Sequence, residues 1–382
     1  MSVTLSNIAL KSNISFSKLY MLYKENKLDT VNILTPYSEI EIPDMRYKTT
    51  NINNRRYLGN KYKLLPFITK VVNENTEDIQ IVADIFAGTG AVASAFLDKT
   101  IITNDTLYSN YICHIAWFGS QMFSEEKIRN YIIFYNTVDI SEDNYMTENF
   151  SDTYFSKADC CRIGFIRQNI EDEFLIGNIN DRERAILITS LLYAMDKIAK
   201  TCGHYDAYRK GAEFDKALEL YVPVPQNSNS SKNRCYNIDA NELVKEIYAD
   251  LVYIDPPYNS RQYCDAYHLI ENVARWEKPK VKGVARKMDR AMLKSDYCTQ
   301  KATVAFEDLI ERINAKYILL SYNNMAKKGN DRSNAKISDE DICRILEAKG
   351  ELTIFSENYK AFTTGKSSIN DNKERLFLCR CF

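Results

Sequence analysis

Apolar and polar positions along the chain follow two rhythms. Short unbroken apolar runs end in turns, and between them apolar residues recur every three or four positions. The run Leu251-Val252-Tyr253-Ile254 predicts a strand buried on both faces. Asp255-Pro256-Pro257-Tyr258 is then the turn at its carboxyl end. Upstream, Ile81-Val82-Ala83-Asp84-Ile85-Phe86 runs into Ala87-Gly88-Thr89-Gly90, which predicts a strand, a glycine turn and then a helix carrying Ala91, Val92, Ala95 and Phe96. A second strand at 100–103 ends on Asn104-Asp105. The pattern resumes at Tyr236-Asn237-Ile238-Asp239-Ala240, with a short helix carrying Leu243, Val244 and Ile247. Beyond the turn we expect helices at 265–276, 304–313 and 338–349, and strands at 316–321, 352–355 and 375–381.

Residues 113–235 break this alternation. Their best helix spans 181–201, with Ile188, Leu191, Leu192, Met195, Ile198 and Ala199 on one face and Asp181 as N-cap. Polar, Tyr-rich segments surround it, and 226–233 and 327–336 read as loops. The first 45 residues look like an appendage: Phe16, Leu19, Tyr20 and Tyr23 have helical spacing, and Pro36 and Pro43 end it. The expected division is an appendage (1–45), a first catalytic half that holds a cofactor (46–112), a mostly helical insertion (113–235) and a second catalytic half (236–382). The fold class is α/β, a Rossmann-like sheet with that insertion.

Composition adds limits. At 382 residues, 45% hydrophobic and 26% charged, the chain is an ordinary globular protein. A net charge of −1 leaves no global basic footprint, so a nucleic acid would be held by local patches. The densest patch runs from 275 to 294, with eight basic residues (Arg275, Lys278, Lys280, Lys282, Arg286, Lys287, Arg290, Lys294) against Glu277 and Asp289. Arg162, Arg167, Lys197, Lys200, Arg209 and Lys210 are further candidates to face phosphates. Ten Cys without a C-x-x-C pair, beside three His, argue against a zinc site. With no signal-peptide pattern and no apolar run of bilayer-spanning length, we expect a cytoplasmic protein with reduced thiols and no membrane partner.

The chemistry gathers at the turns. Gly88 and Gly90 let the backbone pass close to a bound cofactor, and Asp105, at the end of the second strand, is placed to accept hydrogen bonds from ribose hydroxyls. Arg46, Lys48, Arg55 and Arg56 precede Tyr57-Leu58-Gly59-Asn60-Lys61, where a glycine before a helix start lets N–H groups face an anion. The turn at 255–258 holds a carboxylate, two rigid prolines and an aromatic ring, a set suited to a planar, amino-bearing base beside a small electrophile. An exocyclic amine is a weak nucleophile because its lone pair is delocalised into the ring. Two acceptors, the Asp255 carboxylate and the Pro256 carbonyl, would draw its N–H bonds out of the ring plane. Tyr258 would stack on a base taken out of its duplex. A sulfonium is electrophilic enough for direct transfer, which implies S-adenosyl-L-methionine and needs no catalytic cysteine.

In this order, Tyr57-Leu58-Gly59-Asn60-Lys61, Phe86-Ala87-Gly88-Thr89-Gly90, Asn104-Asp105, Asp239 and Asp255-Pro256-Pro257-Tyr258 resemble the Dam-type (D12 class) DNA adenine-N6 methyltransferases. The string from Asp255 to Tyr263 is similar to the FokI-like modification methylases, and Ile318 to Asn323 matches the strand that follows in the family. The resemblance implies that Tyr57, Gly59, Lys61, Phe86, Gly88 and Gly90 hold the methionine end of the cofactor, with Asp84 counted among its contacts. It implies Asp105 on the ribose, Asp239 on the adenine amino group, and Asp255, Pro256, Pro257 and Tyr258 as the catalytic turn. It also places a target-recognition region at 113–235. The expected activity is site-specific methylation of a flipped adenine in double-stranded DNA, by a monomer or weak dimer working beside a cognate restriction endonuclease. An RNA adenine-N6 methyltransferase and a non-catalytic nucleic-acid-binding relic of the fold are the alternatives.

Overall fold

The computed structural model describes residues 47–225, 231–258, 260–323, 335–358 and 373–382. The appendage at 1–45, Arg46, Asn259, and most of the two loops expected at 226–233 and 327–336 lie outside the described residues. The architecture is mixed α/β around a seven-stranded sheet. Its strands, in spatial order, are β5 (Arg234–Tyr236), β3 (Thr100–Asn104), β2 (Ile81–Asp84), β6 (Ala249–Ile254), β7 (Ala315–Asn323), β9 (Lys373–Cys381) and β8 (Gly350–Asn358). The first five run parallel, and β9 lies antiparallel between β7 and β8. Two further strands, β1 (Thr49–Thr50) and β4 (Val222–Pro223), form a separate parallel pair.

Every residue of β6 is buried, as a central strand covered on both faces requires. At its amino end Asp250 accepts the N–H groups of Gln80 and Ile81, which fixes the register of β2 against β6. That register pairs Asp84 with both Thr103 and Tyr253, and Asn104 with Tyr236. Four parallel strands therefore deliver their carboxyl ends to one edge. From β2 the chain proceeds to β3 and β5 on one side and later to β6 and β7 on the other. An open sheet binds its ligand in the crevice at such a reversal.

The helices follow the expected order with four differences, one being that the short helix expected to carry Leu243, Val244 and Ile247 spans only Ala240–Leu243. After Gly90 there is only a 3-10 turn, Ala93–Ala95, instead of a full helix. The 85–99 crossover is short, and Ala93 and Phe96 are buried, so the segment folds tightly against the core. The expected helix at 265–276 is two pieces, Tyr263–Ala266 and His268–Arg275, which ends on Trp276 in the left-handed region (φ 60°). The helix expected at 181–201 is Asp181–Ile198, and its N-cap is Asn180, not Asp181. Asn180 accepts from the Glu183 N–H while the Glu183 carboxylate accepts the Asn180 N–H, a reciprocal box that a lone aspartate at 181 would not complete. Between β3 and β5 stand helices Tyr108–Phe118, Glu125–Thr137, Tyr145–Phe150, Lys157–Leu175 and Asp181–Ile198. Their buried faces share one apolar core with one side of the sheet and with helix His268–Arg275. No described helix is long and apolar enough to cross a membrane.

Candidate active site

A cavity of ≈ 320 Å³ opens where β2, β3, β5 and β6 end. The 57–61 segment closes one side, and a segment around Ser295 closes the other. The Lys61 ammonium lies 3.0 Å from Asp255 Oδ1, with both side chains largely buried. Burial works against the Lys61 charge, but Asp255, Glu374 and Tyr258 outweigh it and the ammonium holds its proton more tightly than usual. Burial pushes the Asp255 carboxyl up to about 6, against the pull of Lys61 and with help from Glu374. Pro256 is buried beneath the turn, and Tyr258 is half-buried with its ring edge-on to Tyr322 at 6.1 Å.

Across the cavity, Asp105 Oδ2 accepts the Gly88 N–H at 2.9 Å and Oδ1 accepts the Leu107 N–H at 2.8 Å. Its carboxyl is also pushed up to about 6 by burial, with these N–H groups opposing. Asn104 ties three turns together: its amide donates to the carbonyls of Ile85 and Ile238 and accepts the Ile238 N–H. Asp84 lies on the floor. Neither of its oxygens makes a well-formed hydrogen bond. Burial holds its carboxyl far above the usual range, and Asp255 adds to this with like charge. Asp239 caps the short helix Ala240–Leu243 by accepting the Asn241 N–H at 2.8 Å. Phe86 meets Tyr297 edge-on at 5.1 Å.

Tyr57 forms the near wall. It stacks on Tyr267 at 4.5 Å, and its hydroxyl accepts from Asn110 at 2.9 Å. Arg55 lies 5.6 Å from the same ring and reaches Asp196 on helix Asp181–Ile198 at 3.2 Å. The glycines work by close approach. At Gly88 (φ 53°) a Cβ would stand 3.2 Å from the Tyr57 ring. At Gly90 (φ 82°) it would stand 2.8 Å from Phe118. Both also hold left-handed backbone that other residues rarely adopt.

A model of the D12 class N6 adenine-specific DNA methyltransferase matches residues 57–331. The chain belongs to that family. This D12-class chain is 36% identical over 341 residues to modification methylase StsI of Streptococcus sanguinis, a match that covers 84% of the chain and 50% of that protein. It is 34% identical over 316 residues to M.FokI of Planomicrobium okeanokoites, covering 77% and 47%. With M.NlaIII of Neisseria lactamica it shares 29% over 331 residues, covering 83% and 95%. The chain thus spans about half the length of the first two and nearly all of the third.

Of the residues singled out from the D12-class motifs, Tyr57, Gly59, Lys61, Asp84, Phe86, Gly88, Asp105, Asp239, Asp255 and Pro257 line this same cavity. Gly90, Pro256 and Tyr258 do not: Gly90 lies close to Phe118 and Ile52, Pro256 is buried, and Tyr258 is half-buried against Tyr322. No local pattern marked Tyr253, Asn237, Gln262, Arg275 or Tyr297 as part of the lining. Gln262 and Ser295 exchange two hydrogen bonds that close the rim, a long-range clamp without local periodicity. Glu374, facing Asn323 across β7 and β9, is a further carboxylate beside the turn.

Several proposed phosphate-facing cations are committed elsewhere. Arg167 is fully buried and donates to the carbonyls of Val273 and Ala274, the open C-terminal groups of helix His268–Arg275. Arg162 donates to the Tyr135 carbonyl near the end of helix Glu125–Thr137 and to the Leu218 carbonyl. Lys197 lies over the Tyr221 ring, Lys200 pairs with Asp215, and Arg209 donates to the Cys202 thiol.

Proposed function

We propose that this chain transfers a methyl group from S-adenosyl-L-methionine to N6 of an adenine taken out of duplex DNA. The observation that carries the reading is the Lys61–Asp255 pair, held on a double-proline turn at the mouth of the cavity. The residues present fit the cofactor. Asp84 places a buried carboxyl on the cavity floor, where an ammonium group would supply the opposite charge that favours its ionised form. The Asp105 carboxylate keeps acceptor capacity for a hydroxyl beyond the N–H groups it already accepts. A side chain at Gly88 would crowd the Tyr57 ring, so glycine there lets the turn backbone lie against the cavity wall. Several carboxylates around one cavity favour a cationic ligand over an anionic one. When bound, the cofactor supplies an electrophilic methyl group on a sulfonium.

The chain's own residues do the rest. Above about pH 6 the Asp255 carboxyl is ionised and can accept an N–H of the adenine amine. The Pro256 carbonyl accepts the second, because a proline-locked turn keeps it aimed. Together they localise the nitrogen lone pair. Lys61 orients Asp255 and balances its charge. Tyr258 stacks on the base, a contact worth about 1–3 kcal/mol that helps offset unstacking. No covalent enzyme intermediate is needed.

Duplex DNA is favoured over RNA by the family's own description and by relatives named as modification methylases, which also support a cognate restriction endonuclease as partner. The helices between β3 and β5 are the proposed target-recognition region. Their position beside helix His268–Arg275, whose last residue lines the cavity, supports this reading. The test is transfer of labelled methyl groups to duplex DNA and to RNA in parallel. Labelled adenine in DNA is expected. Label in RNA alone, or in neither, would overturn the reading.

A further inference from the structure

The basic stretch 275–294 divides into a half that is tied down and a half that is free. Arg275 pairs with Glu271, Lys287 with Asp206, and Arg290 with Asp265, while Lys278 donates to Gln168. Lys280, Lys282, Arg286 and Lys294 are exposed and make no close ion pair among the described residues, although Lys282 acts at longer range on Asp289 and Lys294 on Asp265.

Lys282 and Arg286 stand on a small hairpin. The backbones of Lys282 and Lys287 exchange both of their hydrogen bonds (2.8 and 2.9 Å), and the Arg286 N–H closes a turn on the Gly283 carbonyl at 3.2 Å. The tip projects into open space. Val284 is 70% exposed, and a Cβ on Gly283 would meet nothing within 4 Å. Its base is fixed from several sides. The Tyr154 hydroxyl donates to the Ala285 carbonyl at 3.0 Å, Met288 is buried, and Lys287 reaches Asp206 at 2.7 Å. A few residues earlier, the Tyr145 hydroxyl donates to the Pro279 carbonyl at 2.7 Å.

The backbone here is also strained. Trp276, Lys278 and Arg286 hold positive φ (60°, 52° and 51°), three of the five non-glycine residues that do so among the described residues. Such strain persists only where surrounding contacts impose it, and it concentrates at ligand-contacting elements. The hairpin also lies close to the chemistry. Met292, Leu293 and Lys294 line the cavity, and Arg286 is six residues before Met292, at most roughly 20 Å along the chain.

We infer that the Lys282–Lys287 hairpin is a preshaped contact to duplex DNA flanking the extruded base. Lys282 and Arg286 bind backbone phosphates, and the Gly283-Val284 tip lies against the groove. A narrow two-stranded ribbon is an element a DNA groove admits. One ammonium and one guanidinium carried on a fixed backbone hairpin suit phosphates, which position a protein without reading sequence. The inference rests on the proposed DNA activity and adds to it an element outside the cavity.

The test uses the full chain, a fluorescein-labelled mixed-sequence duplex and a salt titration. The double variant Lys282→Ala/Arg286→Ala is expected to bind about tenfold more weakly. Its slope of log K against log salt should be shallower by about 1.8, near 0.9 for each phosphate no longer neutralised. Val284→Asp is expected to weaken binding severalfold by setting a negative charge against the backbone. A charge-matched control, Lys245→Ala/Lys349→Ala, changes residues just before β6 and β8, at the opposite edge of the sheet, and should keep the wild-type slope. Unchanged melting temperature and cofactor affinity show that the variants are folded. A double variant with wild-type affinity and slope overturns the inference, as does a control that loses as much. Methyl transfer by the wild type is scored alongside. If the wild type transfers no methyl group, the proposed activity fails, and the binding comparison still decides the hairpin.

Discussion

Two carboxylates face each other across the same cavity, and their partners differ. Asp255 and Asp105 are both buried at strand ends, and burial pushes both up to about 6. Asp105 is held by two backbone N–H groups and the Asn110 amide, so its charge is met by neutral dipoles at the sheet edge. Asp255 is held by the ammonium end of a lysine from another segment, with Glu374 nearby. A carboxylate locked by backbone dipoles suits steady recognition of a ligand. One balanced by an ammonium can accept a new hydrogen bond without losing its position. The same residue type under the same burial is thereby divided between binding and chemistry.

Breaking the chemical member should have the largest effect. Asp255→Asn is expected to lower kcat by about 10²–10³-fold, the loss typical of one preorganised polar group at a reacting centre. Cofactor affinity by calorimetry should stay within about threefold. Breaking the binding member should invert the pattern. Asp105→Ala is expected to raise the cofactor Kd by about 10–100-fold, from losing a charged acceptor worth about 1.5–3 kcal/mol. At saturating cofactor its kcat should change by less than about threefold. If the two variants gave the same profile, the division would fail.

The pH dependence sharpens the comparison. Both carboxyls gain a proton as pH falls through about 6, so kcat and cofactor affinity should each decline below it. In Asp105→Asn the binding limb should vanish while the kcat limb stays. Lys61→Met removes the charge that holds Asp255 down. The kcat limb should move from about pH 6 toward about pH 7, and stability should drop by about 3 kcal/mol as a buried carboxylate loses its partner. A limb that moved to lower pH would contradict the pairing. For folding, both folded values exceed the ordinary 3.8. These groups therefore favour the folded state below that value and withdraw that support as pH rises through about 6. The smallest effect is expected for Tyr297→Phe. Its hydroxyl bonds Asn241 and the Ala305 carbonyl, so about 1 kcal/mol of stability and under threefold in cofactor affinity should be lost.

The same division explains what was legible in the sequence. Strand β6 and its turn were readable because an unbroken apolar run before Asp-Pro-Pro-Tyr fits only a buried strand that ends sharply. Asp105 was readable because it directly follows strand β3, whereas Asp84 and Asp239 were named only through the family resemblance. The 91–96 segment misled because Ala, Val and Phe at helical spacing also fit a tight 3-10 turn whose Ala93 and Phe96 are buried in the core. Arg162 and Arg167 looked free because the helix-end carbonyls of Tyr135, Val273 and Ala274 carry no signal in the sequence until the helices that hold them are packed. Tyr297 and the Gln262–Ser295 clamp depend on contacts between distant segments, which local pattern does not record.

The central claim is that Asp255, balanced by Lys61, activates the exocyclic amine of adenine in DNA. The most direct measurement is the mass-spectrometric yield of N6-methyladenine in plasmid DNA incubated with cofactor and either wild type or Asp255→Ala, each with its cofactor affinity measured on the same preparation. The account predicts N6-methyladenine with wild type and a yield lower by about 10³-fold or more with Asp255→Ala, at nearly equal cofactor affinity. Equal yields from the two proteins, or a methyl group found at another atom of the base, would contradict it.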